Sequence, residues 1–69
     1  MTAYHYPRLP SAAERIHETA RLLLRRRGPD ALNIAERRAK EARENGNRAA
    51  LHHWRRTARS IAILLTRAR

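Results

Sequence analysis

Apolar residues recur at intervals of three and four positions along the last third of the chain. Because a helix turns by about 100° per residue, this spacing places them on one side of a helix. Arg48, Arg55 and Arg59 fall on the opposite side. The pattern predicts a helix over about residues 47–67 that packs through one face and carries arginines on the other. The apolar face consists of Leu51, Trp54, Ala58, Ile61, Leu65 and Ala68.

A capping box and a glycine–proline pair bound a helix over about residues 11–27. Ser11 and Glu14 are three residues apart, so the side chain of each can accept a hydrogen bond from the backbone N–H of the other. Gly28 suits the left-handed conformation that often ends a helix, and Pro29 cannot continue one. The apolar face of this helix consists of Ala13, Ile16, Ala20, Leu23, Leu24 and, in its last turn, Arg27.

A middle helix is predicted over about residues 30–45. Asp30 is expected to cap its beginning, and the Asn45-Gly46 pair to end it. Asn47 then opens the last helix. The apolar face of the middle helix is almost free of large side chains, and it consists of Leu32, Ala35, Ala39 and Ala42.

The spacing of these helices predicts an all-α fold. Connections of two or three residues keep successive helices adjacent and antiparallel, which indicates a small antiparallel three-helix bundle over residues 11–69. The alternative is a hairpin of the last two helices with the first helix added, completed by dimerisation. Pro7 and Pro10 oppose helix formation, so residues 1–10 are expected to form an extended or disordered arm.

Trp54 is the only large ring on any apolar face, and we expect it to be the central packing residue. Its replacement by alanine is then expected to cost about 3–5 kcal/mol of stability. Leu22, Ile63 and Leu64 lie outside the faces that a monomer can bury, which favours a homodimer or a docking surface. The predicted core consists of Ile16, Leu23, Leu32, Ala35, Ala39, Leu51, Trp54, Ile61 and Leu65.

The charge balance indicates an anionic partner. Among 69 residues, Lys and Arg number 16 and Asp and Glu number 6, which gives a formal net charge of +10. Such an excess favours nucleic acid, an acidic protein surface or an anionic membrane. Every acid lies between Glu14 and Glu44, so the last third of the chain is purely basic. The candidate contact residues are Arg25, Arg26, Arg27, Arg48, Arg55, Arg56 and Arg59.

The remaining residue types offer little chemistry. The chain has no Cys, which agrees with a reducing compartment, and we expect a cytoplasmic protein without a membrane span or targeting segment. His52 and His53 are adjacent, so their side chains diverge on a helix and no metal site is predicted. Ser11 and Ser60 are better explained as a cap and a helix-surface residue than as nucleophiles. We therefore expect no enzymatic activity, no cofactor and no small-molecule substrate.

A helix-turn-helix motif is not predicted either. Ala42 and Gly46 have the spacing of its turn, but Leu51 and Trp54 come one residue too early for its recognition helix.

From Ala35 onward the chain resembles short, uncharacterised helical proteins found in bacterial genomes. These proteins carry a small-residue helix, a glycine-centred turn and a tryptophan-led helix, and typical members have Asp after the turn glycine and a branched apolar residue three positions after the tryptophan. This chain has Asn47 and Thr57 at those positions. The resemblance implies a helical hairpin and carries no activity. The matching residues are Ala35, Arg38, Ala39, Gly46, Trp54, Ala58, Ile61 and Leu64.

Two classes of function remain open. In the first, the protein is a small interaction module, such as an accessory, adaptor or inhibitor protein, whose arginines bind an acidic protein surface. In the second, the same arginines bind the phosphates of RNA or DNA without recognising a base sequence. We favour the interaction module in general terms, with nucleic acid as the leading single class of partner. Tyr4 and Tyr6 are the only aromatic side chains free to stack on bases, which gives the nucleic-acid alternative slight support.

Overall fold

The computed structural model describes residues 11–67, which form helices and no strand. The helices are α1 (Ala12–Arg27), α2 (Ala31–Glu44) and α3 (Arg48–Arg67), with a short 3-10 turn over Gly28–Asp30 between α1 and α2. The predicted all-α fold class is confirmed. Each helix begins and ends within one residue of its predicted position. The predicted arm over residues 1–10 and the apolar position Ala68 lie outside the described residues.

The ends of α1 follow the predicted capping residues. Ser11 has an extended backbone, and its side-chain oxygen accepts a hydrogen bond from the Glu14 backbone N–H at 3.1 Å. Gly28 has a φ of 55°, which L side chains rarely adopt, and its N–H donates to the Leu24 carbonyl. Glycine at this position therefore allows the chain to leave α1 without strain.

The prediction that Asp30 caps α2 is wrong. Asp30 has helical backbone angles, with φ −78° and ψ −10°, and its side chain makes no capping hydrogen bond. An N-cap residue requires an extended backbone so that its side chain can reach the free N–H groups of the first turn. The 3-10 turn over Gly28–Asp30 leads directly into α2, and its helical backbone leaves Asp30 in the wrong conformation.

The turn between α2 and α3 satisfies the backbone groups at both helix ends. The Gly46 N–H donates to the Arg43 carbonyl at 3.1 Å, and the Asn47 N–H donates to the Ala42 carbonyl at 2.9 Å. This pair of bonds is a Schellman motif, and it requires the positive φ of 68° at Gly46. The Asn47 side-chain oxygen in turn accepts from the Ala50 N–H at 3.1 Å and caps α3.

The core lies where all three helices meet. α2 packs most extensively on α3, and α1 packs on α3 more than on α2. The buried residues of α2 are all alanines, which lets the backbones of α2 and α3 approach closely. The fully buried residues of the apolar cluster are Ala20, Ala31, Ala35 and Ile61. Partly buried apolar residues around them are Leu23, Leu24, Leu32, Trp54, Ala58, Leu64 and Leu65.

Trp54 is not the central packing residue that the sequence predicts. It is half-buried at the margin of the core, whereas Ile61 and Thr57 are the largest fully buried side chains. The Thr57 hydroxyl donates to the His53 carbonyl at 2.7 Å, which satisfies its polar atom inside the helix. Of the other predicted core residues, only Ala35, Ala39 and Ile61 are buried. The rest are half-buried, and they are Ile16, Leu23, Leu32, Leu51 and Leu65.

Two members of the predicted apolar face of α1 do not belong to the core. Ala13 and Arg27 are exposed, near the beginning and at the end of that helix. Ala20, near the middle of α1, is fully buried. The packed part of α1 is therefore shorter than its periodicity suggests.

Candidate interface for an anionic partner

The last turn of α1 carries three consecutive arginines, and only two of them line the same groove. Arg25, Arg26 and Arg27 are all exposed, and their positive charges favour the carboxyl end of a helix. Arg26 and Arg27 line a groove between α1 and α2, whereas Arg25 does not line it. Arg26 and Arg27 follow the lining residue Leu23 by three and four positions and share its side of α1, whereas Arg25 follows it by two and points about 200° away.

The groove between α1 and α2 gathers four arginines from two helices. Arg26 and Arg27 come from α1, and α2 contributes Arg37 and Arg38. The cavity has a volume of about 560 Å³ and is open to solvent. We call it the α1–α2 groove; its lining residues are Leu23, Arg26, Arg27, Ile34, Arg37, Arg38 and Glu41.

Arg37 and Arg38 are not among the candidate contact residues predicted from the sequence. Both lie in the mixed-charge segment Glu36–Glu44, where alternating acids and bases are typical of an ordinary solvated helix face. One signal was available: Arg38 follows the buried Ala35 by three residues, so it flanks the packed face of α2.

Arg38 connects the α1–α2 groove to α3 through Trp54. The guanidinium carbon of Arg38 lies 5.1 Å from the centroid of the Trp54 ring, in the geometry of a cation–π contact. The ring of His53 approaches Trp54 with its centroid 5.1 Å away and an interplanar angle of 83°, an edge-to-face arrangement. Trp54 therefore combines partial burial with contacts to a cation and a second ring.

The arginines of α3 border three different depressions. Arg55 lies at a depression of about 290 Å³ on the α2 side of α3, next to Lys40 and Arg43. Arg56 lies at another, of about 360 Å³, on the α1 side, next to Arg15. Arg59 lies at a third on α3 itself, with Ile63 and Arg67 among its lining residues.

The predicted α3 arginines Arg48, Arg55, Arg56 and Arg59 are all exposed. Within the described residues, none of these four lines the α1–α2 groove. The two predicted foci of positive charge are therefore separate surfaces.

The three predicted self-association residues differ in their exposure. Leu22 and Ile63 are 45% and 46% exposed, on the outer faces of α1 and α3. Leu64 is half-buried and packs against the core cluster, so it is wrongly assigned to the surface. The rotation of α3 explains the difference, because Leu64 follows the fully buried Ile61 by three residues and shares its side of the helix.

Residues 11–67 contain neither a cluster of metal-ligating side chains nor a helix suited to span a membrane. No group of three or more His, Cys, Asp or Glu side chains in that range is placed to hold a metal ion. None of the helices there combines the length and the apolar character that crossing a bilayer requires.

Comparison with known proteins gives no information about the function of this surface. The similarity of residues 35–64 to short bacterial helical proteins stays a prediction. Comparisons of the chain with protein-family models, with curated proteins and with solved structures found no match.

Proposed function

We propose that the protein is a small, basic interaction module of the accessory, adaptor or inhibitor type that binds an anionic macromolecular partner through its arginine-rich surface. The observation that carries this proposal is the exposure of all seven predicted arginines, together with the four guanidinium groups around the α1–α2 groove. A guanidinium is always charged and presents its donors in a planar fork that fits carboxylates and phosphates. We propose that this surface binds a partner, and we propose no enzymatic activity for it.

The proposal includes an antiparallel three-helix bundle, either as a monomer or as a homodimer. Two contacts support the bundle. Ala12 and Ile16 at the beginning of α1 lie beside Ala49 and His53 at the beginning of α3. Further along α1, Ala20 belongs to the same buried cluster as Ile61 of α3.

The alternative function is binding of RNA or DNA without sequence preference. The distribution of arginines over several sides of the molecule favours it, because phosphate contacts and counterion release require no shaped pocket. Binding to an acidic protein surface, in contrast to nucleic-acid binding, requires buried apolar contacts beside the charges.

The salt dependence of binding distinguishes the two functions. If Arg48, Arg55, Arg56 and Arg59 bind phosphates, the affinity for an arbitrary oligonucleotide should fall with a log–log slope of roughly −3 to −4 against salt. An interaction module should bind oligonucleotides negligibly near about 0.15 M salt, where exposed charges are screened. Fluorescence anisotropy with a labelled oligonucleotide and with a labelled acidic polypeptide, across a salt series, measures both.

A double charge reversal tests where the anion binds. If the α3 arginines bind phosphates, Arg55→Glu with Arg59→Glu should abolish oligonucleotide binding and leave the helical content unchanged, because both side chains are exposed. Arg21→Glu with Arg25→Glu makes the same change in net charge on α1, at positions that line none of the three depressions beside the α3 arginines, and serves as the control. Absence of binding to both probes at low salt would refute the whole proposal.

A further inference from the structure

The α1–α2 groove combines an apolar surface with a rim of arginines. Leu23 and Ile34 are both half-buried and line it, and Leu23 also packs against the core cluster. The lining thus offers an aliphatic contact held in place by the fold. Its volume of about 560 Å³ lies within the usual range of ligand pockets, about 300–1,000 Å³.

We infer that this groove is the docking site for an acidic, amphipathic helical segment of another protein. The inference rests on the proposed function and names its partner class and its location. In this arrangement one aliphatic side chain of the segment packs between Leu23 and Ile34. Its flanking carboxylates bind the guanidinium groups of Arg26, Arg37 and Arg38, in the bidentate geometry that arginine favours.

Charge complementarity favours an acidic occupant. Four arginines line the groove against a single acid, Glu41. Binding of carboxylates at an arginine rim around an apolar centre is the usual anatomy of a protein interface.

The same lining disfavours a nucleic acid. Glu41 places a carboxylate in the groove, where it repels a continuous run of phosphates but leaves room for carboxylates spaced along a helix. No aromatic side chain is among the described lining residues, so bases have no ring on which to stack. A helical segment can place an uncharged residue opposite Glu41, and it needs no ring on which to stack.

The length of the groove sets the size of the segment. Along α2 the lining runs from Ile34 to Glu41. At about 1.5 Å per residue this is roughly 10 Å, or two helical turns. A short helix that presents one aliphatic residue per turn, with glutamates beside it, therefore spans the groove.

Trp54 provides an intrinsic reporter of occupancy. It is the only tryptophan of the chain, and Arg38 of the groove lies over its ring. A carboxylate that binds Arg38 shifts the guanidinium relative to the ring and changes the indole fluorescence. Binding to the α3 arginines, away from the groove, leaves this contact unchanged.

The test uses the whole protein and three labelled probes. The first is a helical peptide of Leu, Glu and Ala, about 14 residues or ~20 Å long, with one Leu per turn flanked by Glu. The second is a scrambled peptide of identical composition, and the third is an oligonucleotide of similar charge. We expect the amphipathic peptide to bind at least about tenfold more tightly than the scrambled one, because only it presents an apolar anchor beside its charges. We also expect it to change Trp54 fluorescence.

Matched variants locate the site. Arg26→Glu with Arg37→Glu should weaken peptide binding by at least about tenfold, because like charges then face each other across the groove. Arg25→Glu with Lys40→Glu makes the same change in net charge on the same two helices, outside the groove lining. This control should weaken binding by less than about fivefold, as expected of screened exposed charges. Circular dichroism verifies that both variants stay helical.

Other outcomes overturn the inference in distinguishable ways. Equal binding of the two peptides, or equal loss in the two double variants, would mean that net charge alone attracts the probes; the proposed function would then stand without this site. An oligonucleotide that binds more tightly than the amphipathic peptide and loses affinity in Arg26→Glu with Arg37→Glu would assign the groove to nucleic acid. Failure of all three probes to bind at low salt would refute the proposed function as well.

Discussion

Ile61 and Ile63 are the same residue type, two positions apart on α3, in opposite environments. Ile61 is fully buried, whereas Ile63 is 46% exposed. Two residues rotate a helix by about 200°, which moves a side chain from the core to the solvent. The pair therefore separates the effect of burial from the effect of residue type.

Replacement of Ile61 by alanine should cost about 2–5 kcal/mol, because it removes buried methyl groups and leaves a cavity. A protein of 69 residues has a total stability of roughly 3–10 kcal/mol, so this variant should lose a large fraction of its stability and unfold at a much lower temperature and urea concentration. Ile63→Ala, the control, should change stability by no more than about 0.5 kcal/mol. Urea and thermal unfolding followed by circular dichroism measure both variants, and similar losses would place Ile63 in the core instead.

Individual residues also show what the periodicity of the sequence can and cannot predict. Periodicity alone places Ile61 in the core, because every third or fourth position repeats the same face. It does not identify Thr57, whose polar side chain is fully buried only because its hydroxyl bonds to the His53 carbonyl within α3. Nor does it predict that Trp54 lies at the margin of the core under Arg38, since that depends on how far α1 and α2 cover the ring.

At the scale of elements, α2 is defined by small side chains on its packed face. Ala31, Ala35, Ala39 and Ala42 are its buried residues. Side chains of this size contribute little apolar area, so α2 depends on close backbone approach to α3 rather than on bulk.

Enlarging one of these alanines should therefore push α2 away from its neighbours. Ala35→Leu is expected to destabilise the protein by about 1–3 kcal/mol, as overpacking of a filled core does. Ala13→Leu makes the same change at an exposed position of α1 and should be nearly neutral. Comparison of their urea midpoints tests the prediction, and a more stable Ala35→Leu variant would mean that the α2–α3 contact contains unfilled space.

The boundaries of the helices were predictable because their signals are local. Ser11, Gly28 and Gly46 act through hydrogen bonds to residues within five positions, so no knowledge of the tertiary structure is needed. Asp30 failed as a predicted cap for a related reason. The 3-10 turn that joins α1 to α2 fixes its backbone, and residue type alone does not predict such a turn.

At the scale of the whole molecule, the net charge of +10 makes both partner binding and self-association depend on salt. Salt weakens attraction to an anionic partner, because it screens opposite charges. The same screening lowers the repulsion between two copies of this protein and leaves apolar contacts intact. Partner binding and self-association should therefore respond to salt in opposite directions.

We expect a dimer through Leu22 and Ile63 whose population rises with salt between about 0.05 and 0.5 M, as the screening length shortens. Light scattering coupled to size exclusion at several protein concentrations measures the mass. Ile63→Glu should shift the protein toward the monomer, whereas Asn33→Glu, which adds the same charge at an exposed polar position of α2, should not. A mass that stays monomeric at every salt and protein concentration would exclude the dimer.

The candidate interface was only partly predictable, because it depends on how helices meet. Arg26 and Arg27 stand out as part of a run of like charges. Arg37 and Arg38 belong to the interface only because the Gly28–Asp30 turn brings the end of α1 beside α2. The angle between two helices is set by packing across the whole core, and no local pattern encodes it.

The turn between α2 and α3 also governs how the chain ages chemically. In an Asn-Gly pair, deamidation begins when the glycine backbone nitrogen loses its proton and attacks the asparagine side-chain carbonyl. In the folded protein the Gly46 N–H is bonded to the Arg43 carbonyl, and Asn45 is held at φ −85° and ψ −1°, away from the geometry of attack. Isoaspartate at Asn45 therefore forms mainly on molecules that have opened this turn, and its accumulation records how long the turn has been open.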